Sequence, residues 1–253
     1  MLATARTQGA PSTARQRWRP GPARPRLADG AVHVWRADLT ALGNELADLL
    51  SPAERARAQR MRRERDRQLW ARGRGVLRAL LGRYLASDPR ALRFTTEARG
   101  KPVLLGDGED SAAGDSPPAR ATAARLSFNL SHSQGLALYA LTEIGPIGVD
   151  VEVARRAIDE VALAARAFGP AEARRLQRLD AARRSQEFRR AWVRREAELK
   201  CRGTGIGVAV GGSGGPGPWT AELDVGPQAA CAVALAGSPR ELRCWDWQRP
   251  SRF

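Results

Sequence analysis

Asp150 and Glu152 stand two residues apart in Ile147-Gly148-Val149-Asp150-Val151-Glu152-Val153. The apolar residues alternate with them at the period of a β-strand. On a strand the two carboxylates project to one face, about 7 Å apart at Cα. That is close enough for both to lean onto one hard cation such as Mg²⁺. Gly148 leaves room beside them. An amphipathic strand with a solvated acidic face carries the same pattern.

Glu196 and Lys200 are i, i+4 neighbours in Trp192-Val193-Arg194-Arg195-Glu196-Ala197-Glu198-Leu199-Lys200. A surface ion pair and two groups of an active site look alike at that spacing. Lys200 is one of only two lysines among 42 basic residues. An exposed pair would be served by arginine, so a lysine hints that a compact ammonium is wanted. In Leu126-Ser127-Phe128-Asn129-Leu130-Ser131-His132-Ser133 an apolar strand runs into a polar end. Its Ser, Asn and His side chains can donate to an anion, although such residues are also common at strand ends and turns. Arg74-Gly75-Val76-Leu77-Arg78 and Gly100-Lys101-Pro102 add cations that are individually unspecific.

The elements that must position these residues are legible. The 253 residues hold 43% hydrophobic side chains, enough for real cores and too many for a wholly disordered chain. No apolar run approaches the roughly 18 residues of a membrane helix. Three cysteines and two histidines suggest neither a disulfide framework nor a zinc site, and a reducing cytoplasm is the default compartment. Strands are expected at 31–36, 92–95, 126–131, 135–142, 147–153, 219–225, 229–236 and 241–247. Helices are expected from Pro52 to about Arg65 and over 67–86, 158–168, 170–180 and 184–202. Ser51 as N-cap, Pro52 at N1 and Glu54 at N3 spell a capping box. Residues 1–30, 106–124 and 211–218 read as a disordered tail, a flexible insertion and a flexible Gly/Pro tract. Strand, helices, strands then occurs twice. The expected fold is α+β, with similar subdomains over 31–145 and 146–250 related by a pseudo-twofold. Each is a small, mostly antiparallel sheet packed with helices, and the cleft between them is the natural place for a site.

Four motifs in this order resemble the 4′-phosphopantetheinyl transferases: Gly-Lys-Pro at 100–102, Asn-Leu-Ser-His-Ser at 129–133, Gly-Val-Asp-Val-Glu at 148–152, and Trp-x-x-x-Glu-x-x-x-Lys at 192–200 followed by Gly-x-Gly. The resemblance is to the monomeric, surfactin-synthetase-activating type and covers roughly residues 31–206. It implies a holo-acyl-carrier-protein synthase type of enzyme that moves the phosphopantetheine arm of coenzyme A onto a serine of an acyl or peptidyl carrier protein. It further implies that Asp150 and Glu152 hold Mg²⁺ on the coenzyme A pyrophosphate. Glu196 is then a metal ligand or the base, and Lys200 the matching catalytic lysine. Ser131 and His132 contact coenzyme A phosphates, and Arg74 and Lys101 complete the nucleotide-phosphate pocket. Arg195 stands where the family usually has lysine.

The net charge of +15 is uneven, with eleven arginines and three acids between residues 54 and 83. An acidic carrier protein and a phosphorylated donor both suit that stretch. A basic nucleic-acid-binding protein is the competing class. It requires aromatics interleaved with the arginines, and only Trp70 and Tyr84 fall in or near that stretch. The resemblance implies a monomer acting with coenzyme A and a carrier protein, and the expectation adds a cytoplasmic location without nucleic acid or membrane.

Overall fold

The computed structural model describes residues 17–96, 100–105, 125–154, 158–203 and 217–248. It forms four layers in the order helix, sheet, sheet, helix. The first sheet contains β1 (Arg19–Pro20), β2 (Ala31–Asp38), β5 (Ser127–Ser133), β6 (Leu136–Thr142) and β10 (Glu241–Asp246), ordered β1-β10-β2-β6-β5. The second contains β7 (Ile147–Val153), β8 (Trp219–Leu223) and β9 (Ala229–Leu235), antiparallel in the order β7-β9-β8. A short hairpin, β3 (Phe94–Thr96) with β4 (Pro102–Leu104), stands apart. Among the described residues no helix is long and apolar enough to cross a membrane.

Strand alternation explains the layering. Trp35, Ala37, Tyr139 and Leu141 face helix α2 (Glu64–Leu85), where Val76, Leu77, Leu80 and Leu81 complete one core. Their neighbours Val32, Val34, Leu138 and Ala140 face the other way, onto Ile147, Val149, Val151, Val233 and Leu235. The far side of the second sheet offers only alanines from β9, Ala230, Ala232 and Ala234, to Val193, Ala197 and Cys201. Those three lie on the long helix (Ala181–Arg202). It is α5, following α1 (Pro52–Gln59), α3 (Glu160–Phe168) and α4 (Pro170–Gln177). Small residues beneath a helix let it approach closely, and Gly148 takes this furthest. A Cβ there would lie 2.0 Å from the Ala197 carbonyl oxygen and 2.5 Å from the Cys201 nitrogen. The room at Gly148 is thus filled by helix backbone. Gly148→Ala is expected to lose about 3 kcal/mol or more of stability, because backbone cannot rotate away as a side chain can. Urea unfolding checks this, and an unchanged midpoint would contradict the packing.

Several expectations need correction. The capping box at Ser51 is present, with Glu54 Oε2 accepting the Ser51 N–H at 2.8 Å. However, α1 stops at Gln59 rather than running to Arg65, and α2 starts at Glu64. Residues 17–30 are not a loose tail. β1 pairs in parallel with β10, and Trp18 packs on the core between the sheets. An indole is large enough to anchor an otherwise proline-rich segment. β10 pairs in parallel with β2, so hydrogen bonding takes the last strand of the expected 146–250 subdomain into the first sheet. Residues 1–16, the insertion at 106–124 and residues 211–216 of the Gly/Pro tract lie outside the described residues. So do residues 204–206.

Candidate active site

A cleft of about 1090 Å³ opens between the halves. α1, α2, the β3–β4 hairpin and β5 supply one wall, and the end of α5 supplies the other. Of the residues singled out by their chemistry, Arg74, Lys101, Ser131, His132, Glu196 and Lys200 line it. Asp150 and Glu152 do not, and Asp150 lies one hydrogen bond behind the wall.

Asp150 is only 5% exposed. Its Oδ1 accepts from Ser131 Oγ at 2.8 Å and from Lys200 Nζ at 2.7 Å. Lys200 Nζ also donates to the Val149 carbonyl at 3.1 Å. The lysine therefore reaches across to β7 and does not form the i, i+4 ion pair with Glu196. Asp150 Oδ2 is buried with no hydrogen-bond partner among the described residues. An unsatisfied buried acceptor costs about 1–3 kcal/mol.

Glu196 is 6% exposed. Burial, with the nearby negative charge of Asp150, pushes its carboxyl above the usual range, against the opposing pull of Lys200 and Arg195. Glu152 adds a smaller push in the same direction. The three acids thus share one electrostatic neighbourhood. No group of three His, Cys, Asp or Glu among the described residues stands in ready metal-binding geometry. The chemistry of the donors nevertheless fits a hard cation: a buried, unpartnered carboxylate oxygen stands near Glu196, whose ionised form is disfavoured by burial and by the neighbouring acids.

The Asn-Leu-Ser-His-Ser strand divides its labour by face. Phe128 and Leu130 turn to the α2 core. Asn129, Ser131 and Ser133 turn to β7. Asn129 Oδ1 accepts the Val149 N–H at 2.9 Å, and Ser133 Oγ donates to Glu152 Oε2 at 2.9 Å. Ser131, expected to contact phosphate, spends its hydrogen on Asp150. His132 is exposed in the cleft. The β5–β6 connection at Gln134 and Gly135, with φ of 55° and 101°, is a two-residue turn of the kind that follows the twist of its strands.

Glu54 was legible only as a capping residue. It also accepts Arg74 Nε and, at 2.7 Å, Arg78 Nε. Arg78 is 2% exposed and donates onward to the carbonyls of Pro89 and Leu92. Both guanidinium groups lie over Phe94, with Arg74 at 4.0 Å from the ring centroid. Arg74 is thereby held in the wall. Two arginines four apart on an otherwise apolar helix face were the available signal that a buried acid must meet them.

Two family descriptions together match most of the chain. The family description "4′-phosphopantetheinyl transferase, N-terminal" matches residues 34–143, and "4′-phosphopantetheinyl transferase superfamily" matches residues 146–241. The chain is 40% identical over 246 residues to the 4′-phosphopantetheinyl transferase HetI of Nostoc sp. (strain PCC 7120), spanning 91% of this chain and 98% of that protein. The chain belongs to the 4′-phosphopantetheinyl transferase superfamily. As a phosphopantetheinyl transferase it moves the 4′-phosphopantetheine group of coenzyme A to a serine of a carrier protein. The putative 4′-phosphopantetheinyl transferase slr0495 of Synechocystis sp. is 35% identical over 158 residues, 62% of this chain and 58% of that one. The 4′-phosphopantetheinyl transferase Sfp of Bacillus subtilis is 27% identical over 157 residues, 62% of each chain.

Proposed function

We propose that this transferase works at the cleft with Glu196 as the base, and with Asp150, Glu152 and Glu196 as the protein ligands of Mg²⁺. The observation that carries the reading is the buried, unpartnered Oδ2 of Asp150 beside the raised carboxyl of Glu196. Bound there, the cation supplies charge neutralisation for the coenzyme A pyrophosphate. Glu196 takes the proton of the carrier serine. The serine Oγ forms a bond to the phosphorus that bears pantetheine, and the bond from that phosphorus to the bridging oxygen breaks. Adenosine 3′,5′-bisphosphate leaves. Lys200 places positive charge next to Asp150, where negative charge shifts during transfer. His132, Lys101 and Arg74 bind the phosphates of the donor, and Ser131 supports that wall through Asp150.

Acyl carrier protein, as for a holo-acyl-carrier-protein synthase, and peptidyl carrier protein are the proposed acceptors. The arginine-rich stretch suits their acidity. A monomer is the proposed state. Three free, buried cysteines suit the reducing cytoplasm. The reading includes no nucleic acid and no membrane. Carrier protein incubated with the enzyme, coenzyme A and Mg²⁺ should gain the mass of one phosphopantetheine, and chelation should stop it. An unchanged carrier mass would reject the reading.

The donor is expected to be recognised by its 3′-phosphate. Dephospho-coenzyme A should have a KM at least about tenfold higher, as befits losing a charge-assisted contact. His132→Ala or Lys101→Ala should shrink that ratio. Equal use of both donors by the parent enzyme would remove this role from both residues.

A further inference from the structure

We propose that Ser133 is a positioning residue that sets which oxygen of Glu152 faces the cation. The inference rests on the metal reading above and extends it to a side chain that does not line the cleft. Ser133 is 1% exposed, at the end of β5. Its Oγ accepts the Val153 N–H at 3.2 Å. A hydroxyl has one hydrogen, and that hydrogen goes to Glu152 Oε2 at 2.9 Å. The backbone bond fixes the oxygen, so the direction of the donated hydrogen is fixed too. Two residues earlier Ser131 likewise gives its hydrogen to a β7 carboxylate, Asp150 Oδ1 at 2.8 Å. Each serine thus occupies one oxygen of one carboxylate from the β5 side. At Asp150 the oxygen left over is the buried, unpartnered Oδ2.

β5 and β7 belong to different sheets. No backbone ladder joins them, and the serine rungs with Asn129 Oδ1 on the Val149 N–H set their register. A carboxylate on a strand can rotate about its side-chain bonds. A hydrogen bond that strengthens when the oxygen is charged restricts that rotation and leaves the carboxylate ready to ligate. Such supporting bonds typically change metal affinity by about 10–100-fold.

The test uses the full chain with saturating coenzyme A. Mn²⁺ is titrated in and read by loss of the free-ion electron paramagnetic signal, corrected for coenzyme A alone. Ser133→Ala should weaken Mn²⁺ binding about tenfold or more, with metal-free coenzyme A binding unchanged. Ser133→Thr, which keeps a hydroxyl, should recover most of the affinity. Thiols are weaker donors, so Ser133→Cys should fall between, and this ordering decides the matter even if the alanine variant does not fold. Parent-like Mn²⁺ affinity in Ser133→Ala, or in Ser133→Cys, would overturn the positioning role even if melting temperatures fall. Absence of Mn²⁺ binding by the parent would instead overturn the metal reading itself, and the proposal with it.

Discussion

Glu196→Gln is expected to lower turnover by at least about a hundredfold, the usual contribution of a general base. Glutamine keeps the size and helix propensity of glutamate but cannot take a proton. Stability should move the other way or not at all. A carboxyl whose pKa is raised by folding binds its proton more tightly in the folded state. Ionised Glu196 therefore destabilises the fold at every pH above that raised value, and the amide removes the cost. The parent's rate should fall at acid pH as Glu196 takes up its proton, and the variant should lack that limb. Single-turnover rates against pH, with melting curves beside them, check both parts. A variant that melts lower but keeps most of its turnover would return the base to another acid, with Glu152 the first candidate.

Asp150→Asn should reduce transfer on the order of a thousandfold, the rate equivalent of several kcal/mol of charge stabilisation at the transition state. Asparagine is the informative change because Asp150 is buried. Alanine should abolish transfer too, but it removes the acceptor of both Ser131 and Lys200. Stripping one partner from a buried ion pair costs about 3–5 kcal/mol. Lys200 is partly exposed and can swing toward water, so the true cost is smaller. Asparagine still accepts from Ser131 and Lys200 while losing the charge that a divalent cation needs. Mass spectrometry of the carrier protein over a Mg²⁺ series reads the outcome. Parent-like transfer by Asp150→Asn in Mg²⁺ would remove Asp150 from the metal assignment.

Local features were legible in the amino-acid sequence. The two-residue period of 147–153 placed β7 at its observed bounds, and the Ser51–Glu54 capping box fixed the start of α1. Gly203 ends α5 in the left-handed conformation, where the motif spacing expects the helix to stop. The motifs also named Lys101, Ser131, His132, Glu196 and Lys200, which line the cleft. These signals are carried by residues within a turn or two of one another, and for such contacts spacing along the chain is spacing in space.

Tertiary structure alone decided the rest. β10 leaves the second half to pair with β2, and Trp18 ties down a proline-rich segment, because both are bonded to residues about two hundred positions away. Lys200 looked like the partner of Glu196 and is instead held by Asp150, fifty residues distant. The serines of β5 donate to the carboxylates of β7, nineteen residues away, which their own motif does not reveal. In each case local spacing offers a partner, and a distant one wins because it is buried with the same group. Burying a polar atom costs energy unless a partner is buried with it, and which groups are buried together depends on how whole sheets stack.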